Sequence, residues 1–554
     1  MYYGHRPQKF VDSYQLPRYM QTKFLHIVFS FVILTSLLQS QWTRNYSLYY
    51  ETLDAGNITL YLNNIGNLNS GMGGSRFHVP NSLLTYVVFD HGLTIIGKMN
   101  DTLRALVNHW YSPFSPGPII DGLPAIQSPM RDTLRYKLYK ISRSDTVESN
   151  PDFKNWPADL GAPDDTAGRP ILYGDQTVWS IYNAADSGSA PYVMRYDKNR
   201  STLPLEIHQS TYSYKTPPLF YPSFINDAVF LEWVIINKGT SAIDSCFIGF
   251  WTDIDFNNYD NPPAIDTALQ FGYSYTPLDT FHRKDIPLTV GYTFLYGPQV
   301  SAAGEQAIFG NRIVMNKKNL PMTSFWGIGD DSYGDGSYYG HPYSVGTLWN
   351  VARGLYPDGK PIIDTLENIV TRFPYSGDPV TQKGWLFPKN RLSGGAGFEF
   401  FSGPLTIAPN DTQWMMIALI ANVGTDAKES IQQLRLKAQF LREMSVNEIR
   451  GRGFDWSDSV ETKKPVPSFY ELHQNYPNPF NPTTTIPYDV AIETQVEISI
   501  YNLLGQKIAT LVNERKAAGK YSVEFDAAGL ASGVYLCRMN ADYLSFDRKM
   551  VVLR

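Results

Sequence analysis

Three apolar runs constrain this chain more than any other feature. Val229-Phe230-Leu231-Glu232-Trp233-Val234-Ile235-Ile236 closes on the turn Asn237-Lys238-Gly239 and is followed by Cys246-Phe247-Ile248-Gly249-Phe250-Trp251. Trp414-Met415-Met416-Ile417-Ala418-Leu419-Ile420 follows the turn formers Pro409-Asn410-Asp411. Short runs rich in β-branched and aromatic residues, bounded by turn formers, read as strands. Ile58–Leu62 alternates and Leu83–Phe89 is a further β-rich run. With 14% aromatic residues, 18% charged, 42 Gly and 37 Pro, the balance favours short strands and many turns over long helices.

One helix stands out. Thr425-Asp426 can cap it, and Ile431, Leu434, Ala438 and Leu441 recur at helical spacing, with Leu436, Phe440 and Met444 widening the apolar face. Near the end, Val496, Ile498 and Ile500 alternate with Glu497 and Ser499. Turns at Asn502–Gly505 and Ala518-Gly519-Lys520 precede a second alternating run, Tyr521–Phe525. The expected fold class is mainly β: a β-sandwich-like central region with one helix near 426–445, plus a C-terminal immunoglobulin-like β-sandwich.

A chain of 554 residues exceeds one core, so two or three folded units are expected. Residues 1–40 form a signal-peptide region: Leu25–Leu38 is a 14-residue apolar run behind Lys23, too short to span a bilayer but suited to secretion. Met20 offers an alternative start with a compact basic leader. Residues 41–454 make a β-rich central region of one or two units with a boundary near 217. Residues 455–468 are polar, charged and stiffened by Pro465 and Pro467, as in a linker. Residues 469–554 form the last module. No transmembrane helix is expected in the mature chain.

The last module resembles the type A C-terminal sorting domain of type IX secretion cargo. The resemblance rests on Asn475-Tyr476-Pro477-Asn478-Pro479-Phe480-Asn481-Pro482, on Ile500-Tyr501-Asn502-Leu503-Leu504-Gly505-Gln506, on Ala518-Gly519-Lys520-Tyr521 and on Ala531-Ser532-Gly533-Val534-Tyr535. Cys537 stands where the family more often has an aromatic residue. The resemblance implies a sorting signal carried by Asn475 to Pro482, Gly505, Gly519, Gly533 and Tyr535. It implies the Sec translocon and the outer-membrane type IX machinery as partners, and a secreted or cell-surface location in a Gram-negative bacterium. Pro477, Pro479 and Pro482 predict an extended, poorly hydrogen-bonded lead-in strand. The central region resembles secreted cargo without assigned activity, through Gly92–Gly97, Gly249–Asp255, Tyr375–Val380 and Ser402–Pro409.

Chemistry is sparse. A net charge of −5 without a basic stripe argues against a nucleic-acid partner. Cys246 and Cys537 are expected to remain unpaired. The sequence holds no His-Glu-x-x-His, no Gly-x-Ser-x-Gly and no phosphate-cradling loop. Asp253, Asp255, Asn257 and Asp260 cluster after an apolar strand and suit Ca²⁺, although Asp and Asn also satisfy loop backbone groups. Asp330–Gly336 is a weaker acidic loop. Asp253 with Asp255, or Glu399, can be drawn as a glycosidase pair, and Trp179, Trp326, Trp349 and Trp385 as a sugar-stacking surface. Loop and core roles account for these residues better than chemistry does. The expected function is therefore binding or structural at the cell exterior, with surface glycans as candidate partners and no identifiable active site. A secreted hydrolase acting on polysaccharide is the alternative.

Overall fold

The structure is a computed structural model that describes residues 48–68, 75–77, 85–108, 112–127, 134–165, 168–186, 202–215, 223–256, 261–277, 286–328, 344–388, 396–451, 470–490, 494–517, 519–541 and 544–553. The apolar run Leu25–Leu38, the boundary near 217, the linker 455–468 and the loop Asp330–Gly336 lie outside the described residues. Among the described residues no helix is long and apolar enough to cross a membrane.

The apolar runs become the middle of two packed sheets. The larger is antiparallel throughout. Its strands run in the order Tyr139–Ser142, Gln176–Asn183, Leu205–Ser213, Ala228–Asn237, Thr412–Val423, Leu288–Tyr296, Phe271–Tyr275 and Pro263–Asp266. The smaller runs Ser324–Ile328, Ala396–Ile407, Ile243–Ile254, Asp90–Met99, Thr102–Val107. They meet through an aromatic layer, with Phe250 and Tyr292 centroids 5.1 Å apart and Trp233 and Phe250 5.6 Å apart.

Both outer faces are roofed by helices. Ala427–Glu443 is capped by Asp426, whose side chain accepts the Glu429 N–H at 2.9 Å. Its Ile431, Leu434, Ala438 and Leu441 are fully buried against Phe230, Trp414, Met416, Ala418 and Ile420 of the larger sheet. Leu436 faces the core of the C-terminal module, and Phe440 packs against both that core and the core of the larger sheet. On the smaller sheet, helix Val345–Ala352 covers Trp251, Trp326 and Phe401.

The C-terminal module is a seven-stranded antiparallel sandwich. Three strands (Glu471–Leu472, Thr483–Val490, Gly519–Asp526) face four (Lys507–Lys516, Thr494–Tyr501, Gly533–Ala541, Leu544–Val552). The alternation read from sequence holds: Val496, Ile498 and Ile500 are fully buried. Cys246 and Cys537 are buried and unbridged.

One charged pair fastens the end of the central region to its sheet. Arg450 donates from Nε to Glu232 Oε1 at 2.9 Å and from Nη2 to Oε2. Tyr212 Oη (2.7 Å) and Trp414 Nε1 (3.2 Å) complete the carboxylate. Burial opposes charge on the guanidinium, but the adjoining Glu232 carboxylate outweighs it and holds Arg450 protonated. Removing one partner of such a pair strands the other in low dielectric. Arg450→Ala is therefore expected to cost about 3–5 kcal/mol in urea unfolding, while Glu232→Met with Arg450→Met costs clearly less than the single change.

Candidate functional site

The asparagine–proline segment is the candidate held by the densest set of hydrogen bonds. Its prolines have no N–H to give, and the asparagines supply the missing donors and acceptors. Asn475, almost fully buried, donates from Nδ2 to Thr484 Oγ1 (2.9 Å) and to the Pro477 carbonyl (3.1 Å). Asn478 bridges to the last strand, accepting the Val551 N–H at 2.9 Å and donating to the Lys549 carbonyl at 3.2 Å. Phe480 is buried in the module core, and its backbone exchanges bonds with Val551 and Leu553 at 3.0 Å. Tyr476 pairs with Thr485 through its backbone while its ring is 81% exposed.

The expectation of an extended, poorly bonded strand is thus corrected. Asn475–Pro482 is a folded loop between strands Glu471–Leu472 and Thr483–Val490, because side-chain amides replace the absent ladder. The other residues expected to carry the sorting signal mark turns and strand starts. Gly505 has φ +77°, which favours glycine; Gly519 and Gly533 begin strands; Tyr535 is buried and donates to the Ala531 carbonyl at 3.1 Å.

Sequence reasoning missed a neighbour of this segment. His473 Nδ1 lies 3.5 Å from Glu471 Oε1, and its Nε2 lies 3.3 Å from Asp489 Oδ1. Among the described residues this is the one group of His, Cys, Asp or Glu offering three ligand atoms within 4.8 Å of one another. Glu471 and His473 share a face by alternation, a legible signal. Asp489 joins them only through the pairing of Glu471 with Asp489, which no local pattern announces.

In the central region, the acidic strand end is partly assembled. Asp253 sits opposite Asp90, on the outer face of the smaller sheet, and Glu399 sits two residue pairs along on the same face, between Trp251 and Trp326. Asn257 and Asp260 lie outside the described residues. Burial pushes the Asp255 carboxyl up to about 6 and Glu399 up to about 8. Asp90 is also held well above the usual carboxylate range, by burial first and by the nearby Asp253. Buried oxygens of Asp90, Asp255 and Glu399 have no hydrogen-bond partner among the described residues. On the inner face, His91 is fully buried with Nδ1 2.6 Å from Tyr292 Oη, and burial lowers its pKa to about 3.

The four tryptophans do not all share one cluster: Trp326, Trp349 and Trp385 pack together with helix Val345–Ala352, and Trp179 stands apart. Trp179 lies in a core cluster with Tyr139 and Trp156, and Trp326 lies beneath helix Val345–Ala352. Trp349 packs edge-on to Phe247, and Trp385 on Tyr375. A shallow pocket of about 170 Å³ does open on the larger sheet, lined by Trp179, His208, Glu232, Phe309, Trp414 and Arg450. Its one carboxylate, Glu232, is saturated by four donors, so it has no lone pair poised for acid–base work.

Glu399 has a measurable consequence. The folded chain keeps its proton between the ordinary pKa of 4.5 and about 8, where the unfolded chain has released it. Stability should therefore fall as pH rises through that window, by at most about 1.4 kcal/mol per unit. Glu399→Gln should flatten this slope and be the more stable protein near pH 8, read from denaturant midpoints across the window.

Residues 474–553 match the secretion system C-terminal sorting domain. No curated protein sequence matches the chain. Among solved structures, a polysaccharide lyase is 8% identical over 63% of this chain, with a TM-score of 0.18, and the chain spans 34% of its length. The adhesin domain of Epf from Streptococcus pyogenes is 8% identical over 68% of this chain and 90% of its own, with a TM-score of 0.14. PorZ, a surface component of the type IX secretion system of Porphyromonas gingivalis, is 11% identical over 90% of this chain and 64% of its own, with a TM-score of 0.13. Likenesses this remote carry no argument. The family match does: the chain bears a type IX C-terminal sorting domain and is secreted to the outer surface or extracellular space of a bacterium.

Proposed function

We propose that the central region is a binding module displayed or released at the cell exterior, delivered there by the sorting domain. The observation that supports this reading is the hairpin Ile362–Asp364/Ile369–Thr371. It turns apolar side chains to water: Ile363 and Val370 form a cross-strand pair 42% and 70% exposed, flanked by Leu366 at 63% and Ile369 at 57%. A contiguous exposed apolar strand pair is a liability in a soluble protein unless a partner covers it.

The hydrolase reading has a narrower support: Glu399, raised to about 8 and flanked by two tryptophans, shares a sheet face with Asp253. A raised carboxyl beside a second acid is what a glycosidase uses. Glu399, however, is 1% exposed, which leaves no room beside it for a glycosidic oxygen. Binding is the better-supported reading.

Two measurements test it. Deleting 470–554 should leave the chain in the periplasm, and normal export of the truncated protein would remove the sorting role. Purified full-length protein should cosediment with intact cells or with an insoluble polysaccharide. Ile363→Ser with Val370→Ser should reduce that binding at least about tenfold, as burial of two apolar side chains predicts. Release of reducing ends from the polysaccharide, abolished by Glu399→Gln, would instead establish the hydrolase.

A further inference from the structure

The turn between strands Thr494–Tyr501 and Lys507–Lys516 carries two leucines that the fold does not use. Leu503 is 70% exposed and Leu504 85%. Neither belongs to the core of the module, whose buried residues from these strands are Val496, Ile498, Ile500 and Val512.

The turn itself does not ask for leucine. Asn502 and Gly505 make it: Asn502 Oδ1 accepts the N–H groups of Leu504 and Gln506, both at 3.0 Å, and its Nδ2 donates to Gln506 Oε1 at 2.8 Å. Gly505 supplies the left-handed conformation and donates to the Asn502 carbonyl at 3.0 Å. An added Cβ at Gly505 would meet nothing within 4 Å, so the tip stands clear of the rest of the module. Turn tips are ordinarily filled by Gly, Asn, Asp, Ser and Pro, and two adjacent leucines there gain nothing from folding. Ile508, on the outgoing strand, extends the apolar surface. The flanking charges are already paired, Lys507 with Glu497 and Arg538 with Asp547, so the tip is an apolar knob in a neutralised collar.

We infer that Leu503 and Leu504 are the apolar contact through which a protein component of the outer-membrane type IX machinery holds the sorting domain. This rests on the export reading above. The occupant follows from the tip's place inside residues 474–553, the part matched as a sorting domain. It follows also from the character of the surface. A rigid two-leucine knob fits a preformed apolar pocket and loses little conformational entropy on docking. The cations flanking the turn, Lys507 and Arg538, are held in ion pairs, which weakens their attraction for an anionic lipid surface.

The test is export of full-length Leu503→Ala/Leu504→Ala in a bacterium with a working type IX system, with wild type and the 470–554 deletion alongside. Periplasm, cell surface and medium are blotted separately. The expected result is at least a tenfold fall in the exported fraction, with full-length protein held in the periplasm. The purified variant should melt with wild type, since the removed atoms lie in water. Export at the wild-type level by the double variant, with the deletion still trapped, overturns the inference and leaves the sorting role standing. Export of both overturns the sorting role itself. A variant that melts well below wild type assigns the leucines to the fold and overturns the inference. Two further outcomes also overturn it: a wild-type dimer that the double variant dissolves in sedimentation, assigning the tip to a second copy, and tip-dependent flotation with phospholipid vesicles, assigning it to lipid.

Discussion

The pairing of Ala228–Asn237 with Thr412–Val423 holds the central region together. It joins two half-sheets built from distant parts of the chain: strands up to Asn237 lie on one side, and strands from Pro263 to Tyr296 on the other. Each face of this seam supports a different layer. Trp233, Met415 and Ile417 look toward the smaller sheet, while Phe230, Trp414, Met416 and Ala418 look toward helix Ala427–Glu443. Glu232 is the charge placed in the seam, and Arg450 answers it from the end of the region. Both are buried, so the pair holds because four donors share the carboxylate and because Tyr173 stacks on the guanidinium at 4.5 Å. Helix Val446–Ile449 and Arg450 are thereby registered to the middle of the sheet.

Much of this was legible locally. Strands covered on both faces lose the polar side of their alternation, and for that reason Val229–Ile236 and Trp414–Ile420 read as strands without revealing a face. The helix was legible because Ile431, Leu434, Ala438 and Leu441 repeat every turn. What local pattern does not contain is the neighbour of each strand. Asp90 and Asp253 become opposite partners only because Asp90–Met99 pairs with Ile243–Ile254, more than a hundred residues on. The alternation Phe398-Glu399-Phe400 correctly puts Glu399 on the other face from its neighbours. In a sheet with one wet face it would be solvated. Here helix Val345–Ala352 covers that face, and the carboxyl is buried and protonated instead.

The sorting segment shows the reverse error. Three prolines in eight residues argue for extension when only the backbone is considered, since each removes a ladder donor. The side chains between them alter the outcome. Asn475 and Asn478 reach the positions an N–H would have served, and Phe480 anchors the loop in the core. Asparagine between prolines is thus a donor supply as well as a turn former. The last strand, Leu544–Val552, is held at its end by this loop, through Val551 and Leu553.

Leu436 and Phe440 give the helix a second role. Its first face completes the core of the larger sheet; Leu436 joins the core of the sorting sandwich, and Phe440 packs against both. An apolar contact of two residues is small beside the burial within either core. Taking ~1.5–3 kcal/mol for a fully buried large side chain, it is worth a few kcal/mol at most, before the entropy of fixing two bodies together is subtracted. Such a contact can orient the sorting domain without welding it to the cargo, and breaking it leaves both cores intact. A sorting domain that must be recognised apart from whatever precedes it requires that balance. The placement of its exposed apolar residues agrees with it: Leu503, Leu504 and Tyr476 stand in water.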